Sequence, residues 1–95
     1  MDFLLDLGFS SDLIEKMEDV NEASLLYDFV CNQENAKEII DYFREIGINS
    51  IDRLLVYKLE IFSIDLEKIK KAFNKYDVLT LVQLVNEDIN AINFL

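Results

Sequence analysis

A chain of 95 residues is long enough for one domain with a modest core and too short for two independent ones. Hydrophobic residues make up 52% of it, proline is absent and glycine occurs twice, which excludes a disordered or linker-rich protein. The formal charge is -10, from 19 acids and 9 bases, a balance that repels phosphate and favours basic partners, or simply solvates the surface.

The charge is uneven along the chain. Residues 1–34 hold nine acids and only Lys16, residues 35–65 hold six acids and four bases, and residues 66–95 hold four of each. Residues 1–12 carry acids where a signal peptide needs a basic start, and no apolar run has the length that spans a bilayer. The expectation is a soluble, cytoplasmic protein with no membrane association. Cys31, in "DFVCNQ", has no partner for an internal disulfide, and its apolar neighbours predict a small buried thiol.

In chain order, "LLDLGF" predicts a short helix over 2–7 that stops at Gly8, and Ile14 and Met17 set the spacing of a second over 11–18. "NEASLLYDF" predicts a third over 22–31. Ala36, Ile39, Ile40, Phe43 and Ile46 form one face of an amphipathic helix over 35–46, with Lys37, Glu38, Asp41, Arg44 and Glu45 opposite. Gly47 then offers a left-handed helix stop, Ile48 an inward plug, and Asn49 or Ser50 a cap for a helix over 50–58 built on Ile51, Leu54 and Leu55.

A constant shift of thirty positions carries this plan onto "IDLEKIKKAFNKYDVLTLVQLV". Ile69, Phe73, Val78, Thr80, Leu81, Leu84 and Val85 stand where Ile39, Phe43, Ile48, Ser50, Ile51, Leu54 and Leu55 stood, which predicts helices over 65–76 and 79–85 and a last one over 87–93. Asp77 replaces Gly47 at this joint, so the stop is less sharply left-handed. The reading is all-α, about eight short helices in a solenoid-like array of stacked hairpins, with units near 1–34, 35–65 and 66–95.

Chemistry finds little purchase. There is no histidine, and the serines sit where caps belong, without an activating partner. "NEDIN" has the alternating oxygens of a calcium loop, but Ala91 stands at the turn glycine and no bidentate glutamate follows. No glycine loop for phosphate is present. The expectation is a non-enzyme with no metal and no cofactor.

The segments "LGFSSDLIEKM", "IIDYFREIGINSIDRLL" and "YKLEIFSIDLEKIKKAF" resemble the mitochondrial transcription termination factor (mTERF) repeat, a module of about thirty residues with two antiparallel helices and a short turn. The resemblance covers nearly the whole chain as about two and a half units. It implies a curl of stacked helices whose concave face binds nucleic acid. The chain departs from that family in two respects: Leu59 and Asn21 stand where a proline is typical, and its bases are few.

Two functions are therefore expected. The first is binding of a protein with a basic surface, nucleic-acid mimicry being its extreme form, through Asp12, Glu15, Glu18, Asp19, Glu22 and Tyr27. The second is weak nucleic-acid binding through Lys68, Lys71 and Lys75, with Arg44 and Arg53 nearby. Ile92, Phe94 and Leu95 end the chain mid-unit, and an uncovered apolar end there would allow docking or self-association.

Overall fold

The apolar spacing closes into seven α-helices and two 3-10 helices, with no strand, in a computed structural model that describes residues 1–95. They are α1 (Phe3–Asp6), α2 (Ser11–Val20), α3 (Ala23–Cys31), α4 (Gln33–Ile46), α5 (Ile51–Tyr57), a first 3-10 helix (Leu59–Ser63), α6 (Leu66–Lys75), α7 (Val78–Glu87) and a second 3-10 helix (Ile89–Phe94). Every expected helix is present. Helix α4 starts two residues before the expected position 35, because Asn32 is the only break between it and α3. Leu59–Ser63 forms an element of its own that sequence periodicity does not separate, since five residues are too few to display a helical period.

The glycine joint is one backbone motif used twice. Gly47 has φ +96°, its N–H donates to the Arg44 carbonyl at 3.3 Å, and the Ile48 N–H donates to the Phe43 carbonyl at 2.9 Å. Gly8 has φ +94°, with Gly8 N–H on Leu5 at 3.0 Å and Phe9 N–H on Leu4 at 3.0 Å. This paired pattern around a left-handed glycine satisfies two carbonyls that a helix end would leave bare. Ile48 is buried, as a plug should be. The third joint is built differently. Asp77 has φ -80° and belongs to the next helix, accepting from the Leu79 N–H at 3.2 Å and the Thr80 hydroxyl at 2.9 Å.

The same order of helix, joint, helix and 3-10 helix occupies residues 33–63 and again 66–94. Burial follows the thirty-residue shift: Ile39 and Ile69, Phe43 and Phe73, Leu55 and Val85, and Leu59 and Ile89 are all in the core. The first unit departs from the plan, since α3 is a full α-helix where the later units have a 3-10 helix. Helix α2 packs on α5, α3 packs on the first 3-10 helix and α4, and α6 and α7 pack on α4, so the middle unit lies between the other two. The result measures 34 × 24 × 23 Å, nearer a globule than an extended superhelix.

Six phenylalanines run through all three units. Phe3 packs tilted on Phe29 (5.4 Å between centroids), and edge-to-face contacts follow from Phe29 to Phe62 (6.2 Å), Phe62 to Phe43 (5.9 Å), Phe43 to Phe73 (6.0 Å) and Phe73 to Phe94 (5.2 Å). Aromatic pairs of this kind add about 0.5–1.5 kcal/mol each beyond area burial, so this row ties the ends of the chain to its centre. Asparagines fasten the seams between units. Asn21 Nδ2 donates to the Val56 carbonyl at 2.9 Å, and Asn86 accepts from the Asn49 N–H at 3.0 Å while donating to the Gly47 carbonyl at 3.1 Å. Asn35 holds the carbonyls of Phe62 (3.3 Å) and Ile64 (2.7 Å).

Three expectations are corrected. Cys31 is exposed, because α3 turns Phe29 inward and leaves the thiol at the far side of its last turn. Ser50 precedes α5 but does not cap it with its side chain: at φ -104° and ψ 29° the backbone is not the extended one that aims a hydroxyl at the helix amides, and the buried Oγ has no partner. The C-terminal apolar residues are not bare. Ile92 is fully buried, and Phe94 and Leu95 are half-buried against the core.

Candidate partner-binding surface

Helix α2 owes its placement to Leu13, Ile14 and Met17, which face the core while the opposite side carries acids. Ser10 caps it, accepting from the Leu13 N–H at 3.2 Å with the extended backbone a cap requires (φ -85°, ψ 159°). Asp12, Glu15 and Asp19 fall within one helical face, Glu18 lies beside them, and Glu22 stands at the start of α3. All five are exposed. None forms an ion pair: the single salt bridge of the molecule joins Lys37 to Glu34 at 3.1 Å. Lys16, the one base of this third, sits 5.6 Å above the Tyr57 ring instead. Its cation thus rests against a π-face on α5 rather than in an ion pair with the carboxylates of α2.

Tyr27 lies on the neighbouring helix and is 70% exposed. Its phenol is pushed above its ordinary value by hydrogen bonding with Cys31, then by the charge of that thiol, by slight desolvation and by Asp28. A neutral phenol therefore remains available as a contact group throughout the physiological range. Val20, at the end of α2, is half exposed and adds an apolar contact beside the acids.

The bases expected to serve nucleic acid divide. Lys68, Lys71 and Lys75 share one exposed face of α6 and pair with no carboxylate. Arg53 is exposed on α5. Arg44, by contrast, is committed within the fold: its Nη2 donates to the Leu7 carbonyl at 2.7 Å and its guanidinium lies 4.9 Å over the Phe9 ring. It closes the α1 terminus against α4, a long-range contact with no local sequence signal. The partly covered Phe94 and Leu95 offer less surface than the α7 residues Leu79 and Leu84, which are 76% and 46% exposed, although the repeat spacing had matched Leu84 to the core position of Leu54.

No helix is long and apolar enough to cross a membrane. No family model, no curated protein and no solved structure matches this chain.

Proposed function

We propose that this chain is a non-enzymatic helical domain that binds a basic protein surface through the acidic face of α2 and its border on α3. The observation that carries this reading is that Asp12, Glu15, Glu18, Asp19 and Glu22 are all exposed and all unpaired, while the one base of residues 1–34, Lys16, lies over the Tyr57 ring. Such a face steers a cationic partner during approach, and Tyr27 and Val20 supply contact area once it arrives. Nucleic-acid mimicry is the limiting form of the same idea, with carboxylates taking phosphate positions. The test is a pull-down across a salt series with the wild-type chain and a Glu15→Lys, Glu18→Lys, Asp19→Lys triple variant. Capture that falls with salt and disappears in the variant is expected; capture indifferent to both overturns the reading.

The second reading follows the mTERF-like spacing: weak nucleic-acid binding on α6. It is favoured by the three unpaired lysines on one face, and is opposed by the acidic remainder and by the engagement of Arg44 within the fold. Filter binding at low salt, with single- and double-stranded probes and a Lys68→Ala, Lys71→Ala, Lys75→Ala variant, separates the two. Absence of binding by the wild-type chain rejects this second reading.

A further inference from the structure

We draw no further inference here: the strongest candidate, the apolar surface patch that Leu79 and Leu84 form on the outer face of α7, carries nothing because no feature of the structure shows what covers it.

Discussion

Two serines introduce helices in this fold, and replacing each by alanine should have opposite results. Ser10 has the extended backbone of a cap and its Oγ accepts the Leu13 N–H at 3.2 Å. Losing such a cap costs about 1 kcal/mol, within a range of roughly 0.5–2. Ser50 occupies the equivalent place before α5, but its hydroxyl is buried and has no hydrogen-bond partner. An unsatisfied buried polar group costs about 1–3 kcal/mol. Alanine removes that burden and sacrifices no cap bond, leaving only a small void.

Ser10→Ala should therefore lower Tm by about 4–8 °C, the shift that 1 kcal/mol produces in a domain of this size, whereas Ser50→Ala should leave Tm unchanged or raise it. Thermal unfolding followed by far-ultraviolet circular dichroism, paired with urea titration to confirm equal m-values, measures both. If Ser50→Ala destabilises as much as Ser10→Ala, the hydroxyl has a partner and the assignment of the two roles is wrong.

Other substitutions probe the joints, the seams and the alkaline limit. Gly47→Ala should cost about 1–2 kcal/mol in urea unfolding, because alanine is strained at a left-handed φ, while the added Cβ meets only Val82 Cγ1 at 3.9 Å. Asn86→Ala removes both side-chain bonds to the second joint and should cost about 1–2 kcal/mol by the same measurement. The Tyr42 phenol is raised above its ordinary 10.0, first by burial and then by the Glu45 charge. The folded state thus holds this proton more tightly than the unfolded state. That contribution is complete below about pH 10 and is lost as pH climbs through the raised folded value. Tyr42→Phe should flatten the alkaline loss of stability in a pH series of urea titrations, with the part due to Tyr27 remaining.

Legibility in the sequence depended on how closely residue type determines position. The two glycine joints could be read directly, since a left-handed backbone between apolar runs strongly favours glycine, and both have φ above +90°. The apolar face of α4 was equally plain, its 14 residues being enough to display a full helical period. Short elements escaped: Leu59–Ser63 is buried on Leu59, Ile61 and Phe62, a pattern that fits several backbones. Cys31 and Leu84 were misread for a related reason. Apolar neighbours predict burial only when something packs on that side, and the packing partner is a tertiary fact. The candidate surface was legible as a composition, nine acids against one base, but the engagement of Lys16 with Tyr57 and of Arg44 with Leu7 joins residues 41 and 37 positions apart. No local pattern announces such pairs.

The arrangement of core and surface also makes the proposed activities separable by mutation. The row of phenylalanines from Phe3 to Phe94 passes through the interior of all three units, and the asparagine bonds at Asn21 and Asn86 fasten the seams. None of these contacts involves the acids of α2, the lysines of α6, or Leu79 and Leu84. Exposed positions free of such contacts usually change stability by no more than about 0.5 kcal/mol. Changes at α2 and α6 are therefore expected to act independently as well, since the middle unit stands between them. A chain carrying both the α2 charge reversal and the Lys68→Ala, Lys71→Ala, Lys75→Ala changes should unfold like the wild-type chain while losing partner capture and nucleic-acid binding together. Recovery of one activity on reverting its own substitutions alone would assign each surface to its task, because a general loss of folding could not be divided in that way.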